Sequence, residues 1–174
     1  MSTSITGGSP KLIQTRVSVT KALIGGAYSA EDVLSEATTN GTGTAFVFSG
    51  VARFNGGGGT IMRAQVLSET TNVTPRLTMY LFSALPTSEL DDNAGNTAVL
   101  NADIANFVGQ IDFNALADLG GDSSAMATPS TYGNLPLDFK CASGTTSLWG
   151  VLVTRDVFTQ GTGDDMTAVL FSEV

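Results

Sequence analysis

TAFVFSGVARFNGGGGTIMRAQVLSE, residues 44–69, is the stretch that decides the fold class. Two runs rich in aromatic, β-branched and long apolar residues flank Asn55 and four consecutive glycines. A glycine cluster accepts the positive φ angles of a reversing chain, so the segment reads as a long β-hairpin. The same pattern of apolar runs broken by glycine-rich turns recurs outward from it. LIQTRVSVT, residues 12–20, alternates Ile13, Val17 and Val19 on one face with Gln14, Arg16, Ser18 and Thr20 on the other. PRLTMYLFSAL, residues 75–85, carries large apolar groups on both faces, with Leu77, Met79 and Leu81 opposite Tyr80 and Phe82. Such a strand is covered on two sides, either within its own fold or under another subunit.

VGQIDFNAL, LDFKCA, SLWGVLVTRD and MTAVLFSEV add further strands, and EDVLSEAT a shorter or irregular one. One segment has helical spacing: in TAVLNADIANFV, residues 97–108, Asn101 can cap a short helix whose Leu100, Ile104 and Phe107 face inward. DLGGDSSAMATPSTYGNLP, residues 118–136, reads as a long connection suited to making contacts. Residues 1–11 are small, polar and glycine-punctuated, which suggests a flexible N-terminal arm ahead of one domain over 12–174. Eight or so strands with turn-rich links predict an all-β chain, an antiparallel β-sandwich of jelly-roll type with one short helix.

Charged residues make up only 14% of the chain, against about 25% in average soluble proteins, and Ser, Thr, Asn and Gly supply the polarity. Low surface charge suits faces covered by neighbours. The net charge is −8, and the eight Lys and Arg are scattered, with no basic cluster of the kind that binds nucleic acid. No apolar run approaches the length of a membrane helix, and MSTSITGGSPK lacks the charged and apolar regions of a signal peptide. Cys141 is the sole cysteine, expected to be a small buried apolar residue, so no intrachain disulfide forms. Synthesis and folding in the cytosol are the expectation.

The chain has no histidine. That removes the commonest general base, the Ser-His-Asp and Cys-His triads and the usual zinc sites. Carboxylate pairs remain: Glu31 with Asp32, Asp91 with Asp92, and Asp164 with Asp165. All lie in turn-like context, where acids are ordinarily solvated. Asp91, Asp92, Asn93 and Asn96 offer oxygens, but not in the alternating order of a calcium loop. Gly56–Gly59 are not followed by the Gly-Lys-Ser/Thr of a phosphate loop. Trp149 sits in an apolar strand and reads as a core or inter-subunit residue before a sugar platform. The expectation is a protein without enzymatic activity, with no catalytic, cofactor-binding or metal-binding residues.

The segments PRLTMYLFSALPTSELDDNAGNTA (75–98), MATPSTYGNLPLDFKCASG (126–144) and SLWGVLVTRD (147–156) resemble small β-rich virion proteins of tailed bacteriophages. They are similar to the decoration, or cement, proteins that associate with the major capsid protein. The resemblance implies a homo-oligomer, a trimer at local three-fold positions, bound to the capsid exterior of a virion assembled in the host cytoplasm. Under it, residues 1–11 become a capsid tether and the 118–136 connection a second contact. No functional residue carries over. An alternative is a carbohydrate-binding or receptor-recognition β-sandwich, which needs accessible aromatics among Trp149, Tyr132 and Tyr80.

Overall fold

The computed structural model describes residues 13–38, 41–130 and 132–174; the expected arm over 1–11 lies outside them. The described chain is all-β. Its strands are β1 Gln14–Ala22, β2 Gly26–Tyr28, β3 Val33–Leu34, β4 Phe46–Phe48 and β5 Gly58–Ser68. They continue with β6 Leu77–Phe82, β7 Phe107–Phe113, β8 Ala117–Asp118 and β9 Ser123–Ala127. The last four are β10 Leu137–Lys140, β11 Leu148–Thr154, β12 Phe158–Gln160 and β13 Asp165–Glu173.

One sheet runs β1-β13-β5-β9-β8, with β10 pairing the start of β5. A second runs β3-β11-β6-β7, with β4 also on β11, and β2 and β12 form a separate ribbon. Every pairing is antiparallel. Four of the pairs nest along the chain, β1 with β13, β4 with β11, β5 with β9, and β6 with β7, while β5–β13 and β6–β11 join these nested pairs into the two sheets. Both sheets feed one apolar core. Ala64, Val66, Ala168 and Leu170 enter it from the first, and Phe46, Phe48, Met79, Leu81, Ile111 and Leu152 from the second.

The hairpin expected over 44–69 does not form. β4 joins β11 of the second sheet, while β5 joins β13, β9 and β10 of the first, so the glycine segment crosses between sheets. Of its four glycines only Gly56 has a positive φ. The others answer to crowding: a Cβ on Gly58 would stand 2.5 Å from the Phe139 carbonyl oxygen, and one on Gly59 would strike the carbonyl of Glu173. Two neighbouring strands close on β5 at this point, and only bare backbone fits between them.

The short helix expected over 97–108 is also absent; the described residues contain no helix. Residues 101–106 form successive turns, with Asp103 N–H bonded to Leu100 O (3.0 Å) and Asn106 N–H to Asp103 O (2.9 Å). Leu100 and Ile104, expected to face inward, are exposed, and only Phe107 is partly buried, at the start of β7. The carboxylate of Asp103 dictates this shape. It is 2% exposed and accepts N–H and O–H bonds from both Thr87 and Ser88 at 2.7–3.0 Å, tying the segment to a neighbouring loop.

Two-sided burial of β6 holds, and its cover comes from the same chain. Leu77, Met79 and Leu81 enter the main core. Tyr80 and Phe82 join Val33, Val151 and Val153 in a second cluster, with Leu90, Ala98, Val99, Phe107 and Trp149 packed on it. Residues 90–99 therefore cover the Tyr80 and Phe82 part of the outer face of the second sheet. The 118–136 connection is shorter than expected, because Ser123–Ala127 forms β9 against β5.

Candidate docking face and polar cleft

Among the described residues, no such loop covers the outer face of the first sheet. Alternation along β1, β13 and β5 sets Arg16, Phe171 and Arg63 in one cross-strand row. The Arg63 guanidinium lies 4.5 Å from the Phe171 ring centroid and that of Arg16 lies 5.8 Å away, so two cations flank one ring. The next rows are Ser18, Val169, Gln65 and Met126, then Thr20, Thr167, Leu67 and Ser124. None of these rows holds a carboxylate. Thr20 and Thr167 hydroxyls bond each other at 2.7 Å, and the Gln65 amide donates to Ser124 Oγ at 3.1 Å. Among the described residues, ion pairs engage Lys21, Arg76 and Arg155, and neither Arg16 nor Arg63 has one. A guanidinium stacked on an aromatic keeps its in-plane N–H groups for a partner. The adjoining row, Gln14, Glu173, Thr60 and Asp138, carries two acids, so the guanidiniums form a local cationic spot at one end of the face.

A polar cleft of about 570 Å³ opens beside β6 and β7, lined by Thr78, Asp112, Tyr132, Asn134 and Arg155 among others. Asp112 accepts from the Thr78 hydroxyl (2.7 Å) and the Asn134 amide (2.6 Å). Arg155 donates to Thr78 Oγ1 (2.9 Å), Tyr80 Oη (2.6 Å) and Glu31. Burial alone would lower the Arg155 pKa, but those bonds to Glu31 and Tyr80 hold it above its ordinary value. Arg76, at the rim, grips Asp156 through Nε (3.0 Å) and Nη2 (2.7 Å) and keeps that carboxyl down at about 2.

The members of each carboxylate pair singled out in the sequence have different partners. Glu31 pairs with Arg155, while Asp32 accepts the Ser29 N–H at 2.6 Å. Asp91 receives the backbone N–H groups of Gly41, Thr42 and Gly43 at 2.7–3.1 Å, which hold its pKa below the usual carboxylate range. Asp92 accepts the Tyr28 hydroxyl at 2.9 Å and the Ser35 N–H at 2.8 Å; burial raises its pKa despite those bonds. Asp164 accepts the Thr70 hydroxyl at 2.6 Å, and Asp165 pairs in β13 with Ala22. Asp91, Asp92, Asn93 and Asn96 do not converge on a common point: Asn96 turns to the backbone of Ala98. Cys141 lies in the core as expected, and burial pushes its thiol up.

Sequence reading missed one ionic feature, the buried Lys21. It sits beside Val17 and Val19 on the inner face of β1, 8% exposed, where it pairs with Glu36, bonds Thr44 O and Oγ1 (both 2.7 Å) and lies 5.2 Å from the Phe46 ring centroid. Burial would raise Glu36, but the bonds from Lys21, Thr44 and Ser35 outweigh it and bring the carboxyl to about 2, against an ordinary value of 4.5. A depressed acid contributes stability above its unfolded pKa and loses it as pH falls toward the folded one. The thermal midpoint is therefore expected to drop between pH 4.5 and about 2. Glu36→Gln should start from a lower midpoint at pH 7, with Lys21 left unpaired, and show a shallower fall in acid. An acid limb of unchanged slope in that variant would assign the loss to Asp91, Asp103 and Asp156 instead.

Of the aromatics considered for a sugar platform, Tyr80 is buried under Arg155, Trp149 is half-buried on the second cluster, and Tyr132 is 55% exposed at the cleft. No single row contains all three. The row of Arg16, Phe171 and Arg63 had a partial signal in the alternation of residues 12–20, but its assembly needs strands far apart in the chain. No protein-family model matches this chain, and no curated protein matches it.

Proposed function

We propose that this chain is a jelly-roll β-sandwich that serves as a structural virion protein, binding the outside of a tailed-phage capsid and stabilising the shell. Its partner is the major capsid protein. Its working form is a homotrimer at local three-fold positions, added in the host cytoplasm, and it acts by adhesion without chemistry. The nested pairing supports the jelly-roll assignment: first strand with last, and so inward to β6 with β7, is the order of one long ribbon wound into two facing sheets.

The single observation that carries the docking reading is the contrast between the two outer sheet faces. One is covered over Tyr80 and Phe82 by residues 90–99, whereas among the described residues no loop covers the other, on which Arg63 and Arg16 flank Phe171 and the three central rows hold no acid. A rigid sheet bearing preorganised guanidiniums suits a repetitive acidic surface, and many copies convert modest contacts into durable binding.

Quantitative mass spectrometry of purified particles tests this reading, with the ratio of this chain to the major capsid protein as the readout. A ratio near equimolar is expected. A few copies per particle would move the chain to a vertex, neck or tail, and absence from particles would end the virion assignment. Rebinding to particles stripped of this chain should weaken by about tenfold or more in the Arg16→Ala, Arg63→Ala double variant, since hot-spot arginines concentrate binding energy.

A further inference from the structure

We propose that the cleft between Tyr132 and Arg155 is a saccharide-binding site, independent of the docking face. Its charge pattern selects the ligand class. Asp112 and Glu31 stand against an anion, and Arg76 and Arg155 against a cation. An apolar ligand finds little wall, because Leu77 and Phe113 are buried and Tyr132 alone offers an exposed ring. A neutral polyol suits the mixed donors and acceptors that the pairings among these groups leave over, because each hydroxyl both donates and accepts. Vicinal hydroxyls match closely spaced carboxylate, amide and guanidinium groups, and the C–H face of a sugar ring lies well on an aromatic side chain.

The polar groups are already held in position, which reduces the ordering cost of binding. Thr78 is the hinge of the network: its hydroxyl donates to Asp112 at 2.7 Å and accepts from Arg155 Nε at 2.9 Å. Asn134 spends one amide N–H on Asp112 at 2.6 Å, leaving its second N–H and its carbonyl for a ligand. Arg155 uses Nε, Nη1 and Nη2 once each, on Thr78, Glu31 and Tyr80, so two of its five N–H groups remain. The volume of about 570 Å³ accommodates a mono- or disaccharide.

Saturation-transfer NMR on the full chain tests this with methyl glycosides of glucose, galactose, mannose, rhamnose and N-acetylglucosamine, together with maltose and lactose. At least one is expected to bind, with affinity in the millimolar range typical of a small polar ligand, about 1 mM. Tyr132→Ala and Asn134→Gly should each weaken that binding by about tenfold, because each removes a principal contact, and glycine is chosen at 134 because the backbone φ there is +56°. Both side chains are exposed, so circular dichroism should report an unchanged fold. No binding by any member of the panel at about tenfold the expected constant would overturn the proposal. So would binding that survives both substitutions, which would place the sugar elsewhere on the chain. Neither substitution lies on the Arg16 and Arg63 face, so loss of sugar binding with particle association intact separates this site from the docking reading.

Discussion

Gly59→Ala is expected to destabilise the protein by about 3 kcal/mol, read as a lowered urea midpoint at unchanged slope. The added methyl has no room on any side. It would strike the Glu173 carbonyl, stand 2.5 Å from Val174 Cγ1 and lie 3.2 Å from the Phe139 ring. A side chain could yield, but the Glu173 carbonyl belongs to β13, which is paired along most of its length with β1 on one side and β5 on the other. The strands must separate or β5 must bend. Gly121→Ala is the matched control: a methyl there would meet nothing within 4 Å and the backbone φ is ordinary, so a change within about 0.5 kcal/mol is expected. If Gly59→Ala were as mild as the control, the glycine run would be a turn signal after all, with no packing role.

Asp103→Ala is the second large effect, about 2–4 kcal/mol, because hydrogen bonds to a charged and buried acceptor are individually strong and their donors are left without a partner. Four donors, the N–H and O–H of Thr87 and of Ser88, lose that acceptor together. Burial works against the ionised carboxylate, yet the four bonds keep its pKa below the ordinary value, so the charged form is the one the fold stabilises. Asn101→Ala discriminates between the two readings of this segment. A helix capped at Asn101 would lose about 1 kcal/mol on that change, whereas an exposed turn residue loses almost nothing. Denaturation of both variants settles the matter. A costly Asn101→Ala with a mild Asp103→Ala would restore the helix.

The strands were legible wherever one face is wet. Residues 14–20 alternate because Val17 and Val19 pack on the core while Arg16, Ser18 and Thr20 face solvent. The strongly apolar β6 and β11 were equally plain, since two covered faces leave an unbroken apolar run. Short strands of small residues were not. Ser123–Ala127 lacks β-branched side chains, and its strand character comes from pairing with β5 and from the Ser124 hydroxyl bonded to Val66 O at 2.9 Å. The ribbon of β2 and β12 escaped notice for a similar reason. Its stability rests on Tyr28 stacked on Phe158 at 5.1 Å, residues remote in the chain.

Partner choice explains the two largest departures. Periodicity describes what a segment does with its own side chains, and it carries nothing about which distant segment completes it. Residues 97–108 have helical spacing, yet a buried carboxylate bonded to Thr87 and Ser88 outweighs a weak local preference. The polar cleft was dispersed in the sequence for the same reason: Thr78, Asp112, Asn134 and Arg155 come from four separate segments, and only the placement of β6 beside β7 and β11 brings the first, second and last together.

From composition and alternation alone follow the all-β character, the positions of the longer strands, the apolar burial of Cys141 and the lack of histidine chemistry. These depend on each residue's own solvation and steric preferences, which travel with the sequence. Tertiary structure decided that β4 and β5 part company into different sheets, that Gly58 and Gly59 serve a close approach of backbones, and which sheet face stays open. Those outcomes depend on contacts between segments dozens of residues apart, where the free energy belongs to the pair and neither partner reveals it by itself.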